Sequence, residues 1–275
     1  MPSKPQTFYC ALYPCFQLLD LAGPLDILNI LSLSEEYGGS KISLKFVSES
    51  TTPVPTKAIP PKGADYVYDT PGVGNSVMNT AFNQYLTPDI TYEQLLRKVE
   101  TREETVDVIL IPGGVGSRML RKYQDNTGWN QPVCEELIQW LPRIAPHVLT
   151  AILTVCTGSH VLAQTGLLDG RRATTNMSRF DLVASQRQQV EWVKGARWVR
   201  SDEADAKKAG AKDCVDVWSS AGISAGMDLT LSFVAEYFGG MDVSRELAKR
   251  LEYDWSEPKE GEICKFYDRY FGVGL

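Results

Sequence analysis

The sequence predicts an α/β fold: one doubly wound, mostly parallel sheet with helices on both faces. Three observations predict it. Short apolar, β-branched runs alternate with helical stretches, the pattern of parallel strands joined by right-handed crossovers. The runs 106–111 and 147–155 are apolar almost throughout, as strands covered on both faces are. Both end in small residues, Pro112-Gly113-Gly114 and Cys156-Thr157-Gly158, which let the chain turn sharply at the strand end.

Residues 7–12 read as the first strand, and 18–33 carry helical apolar spacing after a polar opening, Gln17-Leu18-Leu19-Asp20. Residues 42–47 alternate like a second strand. A long inserted connection over 53–105 holds a Pro-rich stretch and then a Gly/Asn-rich one at 71–83, both too polar and punctuated for core. Within it, Thr91-Tyr92-Glu93-Gln94 is a capping box opening a helix with Leu95, Leu96 and Val99 on one face. Strand 106–111, a helix over 131–141 and the strand leading to Cys156 come next. The helix after Cys156 closes at Gly166, residues 170–176 turn into a short strand, and 189–192 and 196–200 are further strand-like pieces. Residues 203–213 read as a solvated, charged loop. Strand 217–222 returns to the sheet, and Ser224 caps a helix whose Met227, Leu231, Val234 and Phe238 form a core-facing stripe. The whole, 1–275, reads as a single domain with a C-terminal extension over 254–275.

Composition narrows the function classes. A chain of 275 residues with 43% hydrophobic content buries a sizeable core, and a net charge of -6 gives no basic footprint for nucleic acid. No apolar run approaches the ~20 residues of a spanning helix, and residues 1–6 lack the apolar region of a signal peptide. Six cysteines without CxxC spacing, beside only two histidines, His147 and His160, predict neither a disulfide scaffold nor a zinc site. A reduced, cytoplasmic protein with no metal is the expectation.

Ligands of an open parallel sheet bind beyond the carboxyl ends of its strands, which singles out three places. At the first, Cys156 stands on a strand-to-helix elbow, where backbone N–H groups and the helix dipole favour the nucleophilic thiolate; the alternative is a buried core cysteine. At the second, Gly113 and Gly114 allow close approach to a ligand and point N–H groups at developing negative charge. At the third, Asp20 lies among apolar neighbours, where burial and a nearby thiolate raise its pKa and let it shuttle a proton; the alternative is a helix cap. His160 lies one helical turn beyond Cys156, on a helix that leads away from the crevice, and reads as packed or at a dimer contact.

Four segments together extend this reading: Gln17-Leu18-Leu19-Asp20-Leu21-Ala22-Gly23-Pro24, Val108 to Gly114, Val155-Cys156-Thr157-Gly158 continuing to Ala173-Thr174-Thr175-Asn176, and Ser220 to Asp228. In this order they resemble the ThiJ/PfpI superfamily, and within it the isonitrile hydratase branch, over about residues 7 to 253. The resemblance implies a flavodoxin-like sandwich that forms a homodimer and needs no metal or organic cofactor. It also implies that Cys156 is the nucleophile, Asp20 its carboxyl partner, and Thr157 a residue whose N–H and hydroxyl face the site. The substrate so implied is a small electrophile, an isonitrile, attacked by the thiolate and released as an N-formamide.

Two departures from that pattern stand out. Protease-like and glyoxalase-like members carry His directly after the nucleophile, where this chain has Thr157, and the Ala-Thr-Thr motif of the hydratase branch usually continues to His, where this chain has Asn176. The alternatives carried forward are a glyoxalase- or deglycase-like enzyme acting on α-oxoaldehydes, and a redox-sensing or binding module built on Cys156. The long connection is expected to reshape the mouth of the site.

Overall fold

Strands buried on both faces set the centre of the molecule, seen here in a computed structural model that describes residues 3–69, 81–123, 130–208, 210 and 215–274. In chain order the elements are β1 (Thr7–Ala11), α1 (Leu18–Ser32), β2 (Ser43–Ser48), β3 (Val54–Pro55), β4 (Tyr66–Asp69), β5 (Tyr85–Leu86), β6 (Ile90–Thr91), α2 (Tyr92–Glu100), β7 (Val106–Ile111), β8 (Leu120–Tyr123), β9 (Asn130–Pro132), α3 (Glu135–Ile144), β10 (Val148–Thr154), α4 (Gly158–Gln164), β11 (Arg172–Ala173), α5 (Phe180–Gln186), β12 (Glu191–Trp192), β13 (Trp198–Ser201), α6 (Glu203–Lys208), β14 (Asp216–Ser220), α7 (Ala225–Phe238), α8 (Met241–Arg250) and α9 (Lys265–Phe271).

The main sheet runs β13-β14-β10-β7-β1-β2-β6. Every pairing in it is parallel except β13 with β14 at one edge. β7 and β10 sit side by side near its middle, with Leu110 opposite Leu153 and Ile111 opposite Thr154, so their carboxyl ends finish together. α1, α7 and α8 pack on one face and α2, α3 and α4 on the other. On the first face Phe233 of α7 meets Phe8 edge-on at 6.3 Å and Trp218 at 5.6 Å; on the second, Tyr92 stacks on Trp140 at 4.8 Å. Aromatic pairs in these geometries add about 0.5–1.5 kcal/mol each beyond their buried area.

The alternating pattern therefore gives the expected mostly parallel α/β sheet, while several details differ. The capping box at Thr91 forms as predicted, its hydroxyl accepting from the Gln94 N–H and the Gln94 side chain accepting from the Thr91 N–H. The helix expected over 131–141 begins at Glu135, because Asn130–Pro132 is drawn into a small antiparallel ladder, β4-β8-β9. α5 follows the Thr174-Thr175-Asn176 turn where no helix was foreseen. The charged loop over 203–213 is helical across Glu203–Lys208; residues 209 and 211–214, Cys214 among them, lie outside the described residues.

Ser224 does not cap α7 with its side chain; its hydroxyl accepts instead from Arg197 at 3.3 Å. The connection over 53–105 is not uniformly excluded from the core either. β6 joins the main sheet, Leu95 and Leu96 are buried, and Val54 and Pro55 help wall a cavity of about 660 Å³ together with Pro14, Ile59, Tyr68 and Tyr85. None of the residues lining that cavity belongs to the Cys156 site described below; residues 70–80 lie outside the described residues. No helix among the described residues is long and apolar enough to cross a membrane.

Candidate functional site

Cys156 has φ +57, a left-handed conformation that a non-glycine residue holds only when its surroundings enforce it. The enforcement is visible. Its N–H donates to both the Ser220 and Ala221 carbonyls at 3.1 Å, and its carbonyl accepts from Ser159 Oγ at 3.0 Å and Thr175 Oγ1 at 3.2 Å. Four hydrogen bonds from three elements hold one strained residue and lift its side chain out of the strand line. The sulfur accepts a hydrogen bond from Asn176 Nδ2 at 3.2 Å, and the Thr157 N–H also acts on it.

Asp20 comes to the same point from α1, fully buried. Two reciprocal bonds fix the start of that helix to the glycine loop: Gln17 N–H donates to the Gly113 carbonyl at 2.8 Å, and Gly113 N–H donates to Asp20 Oδ2 at 3.0 Å. A Cβ at Gly113 would stand 2.8 Å from both Asp20 Oδ2 and Cys156 Cβ, so only glycine lets the carboxyl and the thiol converge here. Asp20 is thus not a helix cap. Gln17 occupies the N-cap position, and the Asp20 side chain reaches across to the loop after β7.

The electrostatics of the pair follow from its dryness. Burial pushes the Asp20 carboxyl up to about 7; the Cys156 side chain and the Gly113 N–H bring it partly back down. Burial, then the charge of Asp20, pushes the Cys156 thiol up to about 12, against the pull of the Thr157 N–H and Asn176. The elbow alone therefore does not yield the free thiolate that the helix dipole suggests, because desolvation in a sealed site outweighs it. Thiol and carboxyl act on each other, and of the two Asp20 is the group poised to gain or lose a proton near neutral pH.

The other predicted residues are brought together with this pair, in roles that differ from expectation. The N–H groups of Gly113 and Gly114, expected as oxyanion donors, are already engaged, the first by Asp20 and the second by Thr157 Oγ1 at 3.0 Å. Thr157 Oγ1 in turn donates to the Gly114 carbonyl at 3.0 Å and accepts from Ser117 Oγ at 3.0 Å. Its hydroxyl locks the glycine loop onto the elbow, which leaves its N–H beside the sulfur. His160 is buried and its pKa is lowered, chiefly by burial, so it stays neutral; Ser117 and Gln186, rather than Cys156, are its polar neighbours.

Sequence reasoning left Asn176 without a role and missed Tyr13. Tyr13 is buried just beyond β1, donates to the Pro112 carbonyl at 2.8 Å, and feels the charges of Asp20 and Cys156. Its place one residue past the predicted first strand, at the carboxyl end, was the signal that could have found it. Gly222 makes room for Asn176, since a Cβ there would overlap the Asn176 amide. Among the described residues, no group of three or more His, Cys, Asp or Glu side chains is placed to hold a metal.

Comparison with known proteins matches residues 47–236 to the model of the DJ-1/PfpI family. The chain is 26% identical over 249 residues to the isonitrile hydratase of Pseudomonas putida, covering 90% of this chain and 78% of that protein. Among solved structures, a ThiJ/PfpI family protein from Pseudomonas syringae superposes with a TM-score of 0.55 at 21% identity, over 94% of this chain and 78% of the other. An AraC family transcriptional regulator from Pseudomonas putida superposes with a TM-score of 0.56 at 14% identity, over 90% of this chain and all of the other. At those identities the two structures speak for the fold alone.

Proposed function

We propose that this chain, which belongs to the DJ-1/PfpI family, is a cysteine-dependent hydratase that converts an isonitrile to an N-formamide. The observation that carries the reading is the convergence of a strained, nearly buried thiol with a sealed carboxyl pushed up to about 7, on a loop only glycine can form. The similarity to an isonitrile hydratase supports the choice of substrate.

In the proposed reaction Asp20, as carboxylate, takes the Cys156 proton while the sulfur attacks the terminal isonitrile carbon. Asp20 then returns the proton to that carbon, leaving a thioimidate in which the former isonitrile carbon bears hydrogen and sulfur and is double-bonded to nitrogen. Next, Asp20 takes a proton from water as the water oxygen adds to the same carbon, and the proton passes to nitrogen. Collapse of the tetrahedral adduct breaks the carbon–sulfur bond and forms the formyl carbonyl; the departing thiolate recovers the hydroxyl proton through Asp20. The balance is isonitrile plus water to formamide, with the enzyme regenerated. Asn176 and the Thr157 N–H stabilise sulfur when it carries charge, at attack and again at departure. No step requires a metal or an organic cofactor.

Incubation with a panel of aliphatic and aromatic isonitriles, with formamide followed by mass spectrometry, tests the reading. Cys156→Ala is expected to lower turnover on the order of 10⁴-fold or more while the protein stays folded. An absence of turnover across the panel overturns the hydratase reading, and conversion of methylglyoxal to lactate instead would favour an α-oxoaldehyde enzyme. The reading extends to a homodimer, which light scattering measures directly.

A further inference from the structure

Two short 3-10 turns flank the Cys156 sulfur, and each ends in an arginine. The first, Val115–Arg118, is fixed to the elbow by the Ser117–Thr157 hydrogen bond at 3.0 Å. The second, Met177–Arg179, starts from Asn176, whose amide touches the sulfur at 3.2 Å and whose carbonyl accepts the Arg179 N–H at 3.0 Å. Arg118 is half-buried and feels the charges of both Arg179 and Cys156; burial and Arg179 lower its pKa.

Neither arginine has a carboxylate partner among the described residues. The one side-chain hydrogen bond of Arg118 there is a long contact of 3.5 Å to Ser117 Oγ. Elsewhere half-buried and exposed arginines alike are paired: Arg187 with Asp169, Arg143 with Glu93, Arg245 with Glu257. Two like charges carried on turns that flank one site, near enough for Arg179 to act on Arg118, in a chain of net charge -6, are an arrangement that an anion relieves.

We infer that Arg118 and Arg179 form an anion-binding clamp beside Cys156, and that the substrate carries a carboxylate close to its reacting carbon. This rests on the hydratase reading for the reacting group, whereas the clamp itself can be tested without it. Guanidinium groups bind carboxylates through paired, charge-assisted hydrogen bonds, and with Arg179 exposed and Arg118 half-buried the attraction is one that salt screens. The clamp would select isocyanoacetate over its neutral isostere isocyanoacetamide.

Two matched pairs of reagents test the clamp. In the first, Cys156 is alkylated by iodoacetate or iodoacetamide, sulfur displacing iodide in each case, and the extent is read at the Cys156 peptide by mass spectrometry. The iodoacetate-to-iodoacetamide rate ratio, divided by the same ratio for glutathione, is expected to exceed about tenfold. Arg118→Gln and Arg179→Gln should each lower it, the double variant should bring it near one, Arg118→Lys should retain most of it, and Arg143→Gln, on exposed α3, should leave it alone. High salt should compress it in the unmodified protein, which keeps the test valid if a variant fails to fold.

In the second pair, kcat/KM for isocyanoacetate over isocyanoacetamide should fall in parallel with the alkylation ratio. An alkylation ratio equal to that of glutathione and indifferent to salt, with no preference for isocyanoacetate, overturns the clamp. If neither isonitrile is turned over while the alkylation ratio behaves as described, the clamp stands and the hydratase reading fails. Turnover of both isonitriles without discrimination, beside a glutathione-like alkylation ratio, overturns the clamp and leaves the hydratase reading standing. A Cys156 that reacts with neither alkylating reagent, together with isonitrile turnover that ignores the carboxylate, also overturns the clamp.

Discussion

Asp20 and Asp228 are both sealed from solvent, 0% and 1% exposed, yet they are held in opposite ways. Asp228 lies in the first turn of α7 and faces a guanidinium: Arg197 Nε donates to its Oδ2 at 2.6 Å, and the Tyr253 hydroxyl donates to Oδ1 at 2.9 Å. Asp20 lies in the first turn of α1 and its Oδ2 accepts the Gly113 N–H, while its Oδ1 has no hydrogen-bond partner among the described residues. Burial raises both, but Arg197 opposes the rise at Asp228, whereas at Asp20 only the Cys156 side chain and the Gly113 N–H do so among the described residues. The difference separates a carboxylate built to stay charged from a carboxyl built to gain and lose a proton.

The partners of Asp228 say what it is for. Arg197 also reaches the Tyr267 hydroxyl at 3.2 Å, and Tyr253 and Tyr267 flank or lie in the C-terminal segment, so the ion pair fastens that segment to the core. The partners of Asp20 are a glycine loop and a thiol.

The largest expected effect that separates the two is on turnover. Asp20→Asn should lower isonitrile hydration by roughly 10²–10⁴-fold, the range of a lost general acid–base, with stability unchanged or raised, because the variant removes a desolvated carboxyl. Asp228→Asn should do the reverse. Leaving Arg197 buried without its counter-charge should cost about 3 kcal/mol of unfolding free energy in denaturant titrations, with turnover changed far less.

The pH dependence of stability sharpens the contrast. Asp20 titrates at about 7 in the folded chain and at ~3.9 when unfolded, so the folded state binds the extra proton between those values. Its contribution is full below the unfolded value and is lost as pH rises toward 7. Urea midpoints measured from pH 4 to 8 should carry a falling component that Asp20→Asn removes. The smallest effect is expected at Asn176: Asn176→Ala deletes one donor to the sulfur and should lower turnover by about tenfold.

How much of this was legible in the sequence differs between the two aspartates for a physical reason. Cys156, Asp20 and the glycine pair were readable because each sits where a strand ends or a helix begins, and strand ends in a parallel sheet share one edge. β7 and β10, apolar almost throughout, placed the loops after them correctly. The Asp228–Arg197 pair was not readable, since the residue that precedes the antiparallel edge strand and the start of α7 meet only in three dimensions. β8 and β9 were missed because Leu120–Tyr123 and Asn130–Pro132 carry too little alternation to signal strands; β4, β8 and β9 form a ladder only with one another. The engagement of the Gly113 and Gly114 N–H groups was likewise hidden, because it depends on Asp20 and Thr157 arriving from distant elements.

The central claim is that Asp20 and Cys156 form one proton-exchanging unit, and the protonation state of Asp20 tests it most directly. Infrared difference spectra between the unmodified protein and Asp20→Asn, recorded from pH 4 to 9, isolate the carboxyl stretch of that residue. The account predicts a protonated-carboxyl band that disappears with a midpoint near 7 and shifts when Cys156 is replaced by alanine. An Asp20 already ionised at pH 5, with a spectrum indifferent to Cys156→Ala, would contradict it.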